Sequence, residues 1–375
     1  MAFLRRLIVL LVVVGLFWYF YGDSFKESGV SGVFQDIQSD IYRISEHPVV
    51  SNTVSWIDQE IRFLSGKVSE SLRDQDTSSP LKQPDLSAPS DHLFSIHNIE
   101  LGDTRADVEA QIGEPERATR NEYGVDWVTY HNNYQHFMMV AYDDHDLVSG
   151  LYTNQDLLTS SNGITFESTR DEVLSVLPKP LETIRKGLLN YEIQNNGEFH
   201  TFDIDESYTT IFYDVHQENK VTAILMIDKQ LEKQKKNYFG MPSDELREGF
   251  EYQLFDLTNA SRVKHGLSLL AWEDSALETV RAHSQDMAAN NYFSHTNLEG
   301  MSPFDRLTED AIAYRRAGEN LAAGQQSSIF AHEGLMNSLG HRENKLQNSY
   351  QTLAVGVAFN EDSHPFYTEN YIAKN

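Results

Sequence analysis

Cysteine is absent from this 375-residue chain. No disulfide, zinc-thiolate site or thiol nucleophile can therefore form. Basic residues are scarce: 30 Lys and Arg stand against 56 Asp and Glu, a formal net charge of −26. Phosphate backbones are held by a basic footprint, so nucleic acid is excluded as a partner. The excess acid reads as solubility through self-repulsion, with attraction of a cationic partner as the rival reading. Hydrophobic runs are short, except that Leu7 to Tyr21 extends over 15 residues. That is less than the ~20 of a full helical span. It follows Arg5-Arg6 and ends in Phe17-Trp18-Tyr19-Phe20-Tyr21, a cluster suited to a membrane interface. The basic flank puts the N-terminus in the cytoplasm and the rest outside. With no A-x-A-like site after it, an uncleaved single-pass anchor over residues 1–23 is expected, meeting the membrane through residues 5–22. Secretion after signal cleavage is the alternative.

The composition, 40% hydrophobic and 11% aromatic, fills ordinary cores. The length suits two or three domains at about 150 residues each. Residues 24–92 read as a stalk and linker. Ile37, Ile41 and Ile44 have helical spacing, as do Trp56, Ile57, Ile61 and Leu64. Asp74 to Asp91 is rich in Pro, Ser and Asp, with no period.

Residues 93–235 contain an internal repeat. Thr104-Arg105-Ala106-Asp107-Val108 is echoed by Thr169-Arg170-Asp171-Glu172-Val173, and Tyr142-Asp143 by Tyr213-Asp214. Thr104 and Thr169 are N-caps, each with an acid three positions on. Each helix precedes strand-like runs: Trp127–Tyr130, Phe137–Tyr142 and Leu147–Tyr152, then Tyr191–Ile193, Thr209–Tyr213 and Lys220–Ile227. Two such units predict one α+β domain. His131, His136 and His145 lack ligand spacing and read as surface or turn histidines.

Residues 243–375 begin with a helix capped by Ser243 and ended at Gly266. Asp274 is expected to cap a second helix, Ser302-Pro303 to start a third, and Ser327 or Ser328 a fourth running to about Asn337. Leu353–Phe359 and Pro365–Ile372 read as paired strands. Helices around a short sheet predict a three-layer αβα sandwich.

Several motifs then stand in order: Asn259-Ala260-Ser261-Arg262, Leu270-Ala271-Trp272, Ser284-Gln285-Asp286-Met287, Tyr292-Phe293-Ser294-His295, Gly318-Glu319-Asn320-Leu321-Ala322 and Met336-Asn337-Ser338 with Gly340-His341-Arg342. On these, residues 250–373 resemble the CAP superfamily, also called SCP-like extracellular proteins. The repeat domain resembles the CAP-associated N-terminal domain of Bacillus-type bacteria. The resemblance implies an extracytoplasmic location and a cleft with two histidines and two acids. His295 matches the first histidine, Glu319 the glutamate of Gly-Glu-Asn, and His341 the second histidine. Ser338 falls on the second acidic position and supplies no carboxylate. Glu333, the nearest acid, lies five residues earlier on another helix face. Lys345 stands where the bacterial motif has an apolar residue, and is expected to loosen local packing or aim a cation outward.

His295, His341 and Glu319 are thus the candidate catalytic or metal-ligating set, with Ser338 and Asn320 as further cleft residues. Two imidazoles and a carboxylate suit a divalent metal such as zinc, with water in an open position. They also suit general acid–base work. A purely structural reading has Glu319 anchoring a turn and both histidines satisfied in a buried network. His332-Glu333 resembles the start of H-E-x-x-H, but Met336 takes the second ligand position. Ser294 has no G-x-S-x-G around it. Tyr292, Phe293, Phe304, Trp272 and Tyr367 read mostly as core. Three functions are open: binding of a cell-wall, lipid or peptide ligand, metal-assisted hydrolysis at the same cleft, and a scaffold with no active cleft.

Overall fold

The computed structural model describes residues 81–186, 189–193 and 196–374. The expected anchor and most of the stalk lie outside the described residues. Among the described residues no helix is long and apolar enough to cross a membrane.

The first repeat comprises β1 (Phe94–Ile96), α1 (Arg105–Ile112), β2 (Arg117–Arg120), β3 (Asp126–Asn132), β4 (Gln135–Tyr142), β5 (Val148–Thr153) and β6 (Leu158–Ser160). The second comprises α2 (Arg170–Val176), β7 (Thr183–Lys186), β8 (Leu189–Glu192), β9 (Phe199–Ile204), β10 (Ser207–Asp214) and β11 (Lys220–Asp228). Thr104 accepts from the Asp107 amide, and Thr169 forms a full capping box with Glu172. Seven strands make one antiparallel sheet in the order β2-β3-β4-β5-β11-β10-β9. The corresponding strands of the two copies, β5 and β11, pair at its centre. The Tyr-Asp echo marks the same irregularity twice. The register slips between Ala141 and Tyr142, and again between Phe212 and Tyr213. Asp143 and Asp214 then close each turn by accepting amide hydrogens two residues on, from His145 and His216. His131 is half-buried against Tyr134, with ring centroids 4.0 Å apart, and burial pushes it down to about 4.

One face of this sheet is closed by α1 and α2, with Val108, Val173, Val140, Leu151, Phe202 and Ile224 in one cluster. The other face, carrying Trp127, Phe137, Tyr152 and Phe212, has no helix of its own repeats. It shares a core with Phe250, Leu254 and Leu257. Those belong to a long helix of the next segment, reached through α3 (Lys229–Gln234).

That helix is α4 (Asp244–Lys264), started by Ser243, which accepts from the Leu246 amide. It ends at His265, with Gly266 at φ +68°, the left-handed conformation in which glycine is unstrained. Then follow β12 (Ala271–Trp272), α5 (Leu277–Asn290), α6 (Pro303–Glu309), β13 (Arg316–Ala323), α7 (Ser328–Asn337), α8 (Leu339–Lys345), β14 (Thr352–Phe359) and β15 (Pro365–Ala373). The four strands form a mixed sheet, order β12-β14-β15-β13. Side chains alternate across it. Leu353, Val355, Val357 and Tyr367 meet α4 and α7, while Ala354, Ala358, Phe366 and Ile372 meet α5 and α6. The three-layer expectation holds.

Three local expectations change. Asp274 opens a single 3-10 turn, and α5 starts at Leu277 without a side-chain cap. The chain is still tied to the sheet there, because Glu273 N bonds to Leu353 O. The Gly-Glu-Asn stretch is no turn. It lies within β13, paired along its length with β15. Phe293 is exposed rather than core.

Candidate functional site

β13 is an edge strand, and successive residues on it point to opposite faces. Glu319 therefore faces the α5–α6 layer and Asn320 the α4–α7 layer. The Glu319 side chain is only 2% exposed. A buried carboxylate needs donors and a counter-charge, and both are supplied. His295 Nδ1 lies 2.9 Å from Oε1, and Arg306 donates to Oε2 at 2.6 Å. Arg306 also donates to the carbonyls of His295 and Met301, so it fastens the loop that carries His295. The Ser302/Asp305 capping box and Pro303 fix the start of α6 and place Arg306 one turn along it.

The His295 side chain is 52% exposed. Glu319 as a carboxylate can only accept, so Nδ1 carries the hydrogen. In the neutral ring, Nε2 is then an acceptor. Ser294 turns away, its Oγ accepting from Thr296 N.

His341, on α8, is held from the other side of β13. Its Nδ1 is 2.7 Å from Ser338 Oγ, and its carbonyl accepts from Asn320 Nδ2 at 3.1 Å. Burial pushes its pKa down; the Glu369 carboxylate opposes that, and His295 is near enough to add to it. The fold thus brings His295 and Glu319 into contact and leaves His341 within electrostatic reach of His295, while Ser338 bonds His341 alone.

Asn320, expected in the cleft, lies beneath it and is fully buried. It donates to Glu369 Oε2 at 3.1 Å and accepts from Asn344 at 2.9 Å. Glu369 is the centre of this lower network. Lys345 reaches its Oε1 at 2.5 Å and Tyr371 its Oε2 at 2.7 Å. Lys345 also donates to Thr258 at 2.9 Å. Its ammonium thus points inward, into an ion pair whose partners are 0% and 1% exposed. The expected outward cation or loosened packing is not found: a carboxylate on β15 makes a buried lysine tolerable.

Arg306 and Glu369 were not among the candidates read from sequence. Arg306 had a signal, a lone base one helical turn after a capping box. Glu369 had a weaker one, a charge in the middle of an expected strand.

Among the described residues, His295, Glu319 and His341 are not gathered into a three-ligand group. Arg306 is already the counter-ion of Glu319, and a second cation there would meet its guanidinium. Among the described residues no group of three His, Asp or Glu is placed to hold a metal. His332, the first residue of the truncated H-E motif, is buried and bonded to Ser261 at 2.7 Å.

Glu333 points away from this site, towards the repeat domain. Tyr152 donates to its Oε1 at 2.6 Å. Burial is the main cause that raises it to about 7. An acid that is harder to ionise folded than unfolded holds its proton longer in the native state. Its contribution falls as pH rises from the unfolded value near 4.5 through 7. The fall is up to roughly 3 kcal/mol at about 1.4 kcal/mol per unit. Glu333→Gln should flatten the decline of stability between pH 5 and 7 in urea titrations; an unchanged slope would remove this account.

An αβα sandwich with an edge-strand carboxylate paired to a loop histidine, joined to a duplicated α+β domain, defines a class. Residues 101–238 match the family model described as CAP-associated N-terminal. Residues 255–371 match the one described as CAP, cysteine-rich secretory protein family. The chain belongs to the CAP superfamily, as a member with a CAP-associated N-terminal domain. Having no cysteine, it holds the fold without the bridges the family's name suggests.

Among its relatives is the "Uncharacterized membrane protein YlbC" of Bacillus subtilis (strain 168), 29% identical over 317 residues, 76% of this chain and 85% of the relative. "Uncharacterized protein YkwD" of the same organism is 38% identical over 125 residues, 33% of this chain and 48% of that protein. Among solved structures, an extracellular SCP-domain protein from Bacillus anthracis superposes with a TM-score of 0.63 at 24% identity, covering 81% of this chain and all of that one. A cysteine-rich secretory protein from Staphylococcus aureus gives 0.55 at 15% identity, covering 73% and 94%. These structural likenesses establish the fold.

Proposed function

We propose that this is a membrane-anchored, extracytoplasmic CAP protein that binds an envelope ligand, of cell-wall, lipid or peptide nature, at the His295 edge of its sandwich. The supporting observation is the graded exposure of the site. A buried Arg306–Glu319 pair fixes one nitrogen of a ring whose other side is open to solvent. Such a ring presents an oriented acceptor to a hydroxyl or amide donor at little entropic cost. The anchor rests on Arg5-Arg6 with Leu7 to Tyr21, and the relative named as a membrane protein agrees with it. Metal-assisted hydrolysis at the same residues is the weaker reading, because Arg306 fills the place a cation would take at Glu319.

Full-length protein should be sedimented by purified cell wall or by lipid vesicles, and His295→Ala should weaken that about tenfold or more. Because His295 is largely exposed, the substitution should leave the melting temperature nearly unchanged. Undiminished sedimentation of His295→Ala would place the ligand elsewhere. The absence of cysteine allows a clean test of sidedness. Leu298→Cys, at an exposed position, should react with a membrane-impermeant maleimide in intact cells. Labelling only after lysis would overturn the topology.

A further inference from the structure

A cavity lies away from His295, between the repeat domain and the sandwich. It has a volume of about 810 Å³, the size of a small-molecule or short-peptide site. Its walls come from β8, β9, β10 and β11 on one side and from the β13–α7 connection and α7 on the other. No candidate residue of the His295 site lines it.

Its lining is chemically lopsided. Four carboxylates, Glu192, Glu198, Glu232 and Glu333, face one ammonium, Lys186. That ammonium is already committed to Glu232 as an ion pair. Glu198 is half-buried, and no ion pair or side-chain hydrogen bond to its carboxylate is found among the described residues. Glu333 is 4% exposed. One of its oxygens is held by Tyr152, a neutral donor. Beside these carboxylates, Phe199, Phe212 and Phe330 form a mutually packed trio with centroids 5.2–5.6 Å apart. Across the cavity Tyr191 stacks on Tyr238 at 5.7 Å. Gln325 Oε1 is buried there without a hydrogen-bond partner.

We infer that this interdomain cavity binds a cationic peptide, its ammonium or guanidinium groups neutralising Glu198 and Glu333 and its carbon chains lying on the aromatic walls. Carboxylates in a low-dielectric wall favour a ligand cation over water-borne counter-ions. Aromatic faces add attraction for the same charge. Burial raises both acids; no charge opposes it at Glu198, and Lys264 and Lys345 offset it only in part at Glu333. Gln325 offers an acceptor to a backbone or side-chain N–H. Because both domains supply walls, a bound ligand would also tie them together.

The test uses full-length protein in detergent and calorimetric titration with the peptide Ala-Lys-Tyr-Lys-Ala. Its doubly Nε-acetylated form, Ala-Glu-Tyr-Glu-Ala and a neutral oligosaccharide of N-acetylglucosamine serve as comparisons. Binding of the lysine peptide alone is expected, weakened at least tenfold in Glu198→Gln and in Phe330→Ala but not in His295→Ala. Glu333→Gln should weaken it as well while retaining the Tyr152 contact, which separates lost charge from lost folding. Equal binding of the acetylated peptide, binding of the oligosaccharide alone, or no binding by any probe would overturn the inference. An effect of His295→Ala on the lysine peptide would instead assign that ligand to the other site.

Discussion

Lys345→Met should lower the unfolding free energy by about 3–5 kcal/mol, the usual cost of leaving one partner of a buried pair uncompensated. By size and shape, methionine for lysine is mild. At an apolar position it would be nearly neutral, and family expectation makes this position apolar. The structure reverses the sign. Lys345 is fully buried, and its ammonium sits against Glu369 and Thr258. Removing it leaves a carboxylate with only Asn320 and Tyr371 as strong donors, and neither carries charge. Adding Glu369→Gln to Lys345→Met should recover part of the loss, since the uncompensated charge is then gone. Guanidinium denaturation of the two single variants and the double variant measures the coupling. If Lys345→Met unfolds at the wild-type midpoint, the pair contributes nothing and the buried network is misassigned. Because Asn320 also holds the His341 carbonyl, the single variants should disturb that end of the site as well.

Gly249→Ala carries the second large effect. Alanine for glycine inside a helix ordinarily stabilises by about 0.5–1 kcal/mol. Here a methyl group would overlap the Arg120 carbonyl oxygen. Gly249 lets α4 lie directly on β2 of the repeat domain, and Gln253, one turn along, donates to the Arg120 carbonyl at 2.9 Å. The obstacle is backbone, so it cannot turn aside as a side chain would. Overpacking of this kind costs about 1–3 kcal/mol, more than the helical gain. The expected result is a lower melting temperature with faster proteolysis between the domains. A variant more stable than wild type would show that α4 and β2 part easily. Gly356 makes a like approach between β14 and α5, where an added methyl would overlap the Val280 and Arg281 backbone. That a close approach was needed at either glycine was not legible in the chain.

The parts of the fold that were readable are those with a local cause. Thr104, Thr169, Ser243 and Ser302 each satisfy an amide within three residues, so each announces its own helix. The duplicated Tyr-Asp pair precedes the same turn twice, because an aspartate closing a turn depends on residues two to four positions on. Strand β13 was missed for the opposite reason. Its eight residues, Arg316–Ala323, include a glycine, a glutamate and an asparagine, and their extended form comes from pairing with a strand some 50 residues later.

The same division runs through the site. The chain by itself determined what is near in sequence or fixed by composition: no thiol chemistry, a capped α6, and the pairing of motifs that names the superfamily. Tertiary structure decided what depends on charges meeting from distant segments. Arg306 became the counter-ion of Glu319, and Lys345 turned inward to Glu369. Asn320 sank beneath the cleft it was expected to line. Glu333 was drawn to the other domain by Tyr152. Coulomb energy in a buried setting is set by separations of a few ångströms, and no spacing along the chain encodes those.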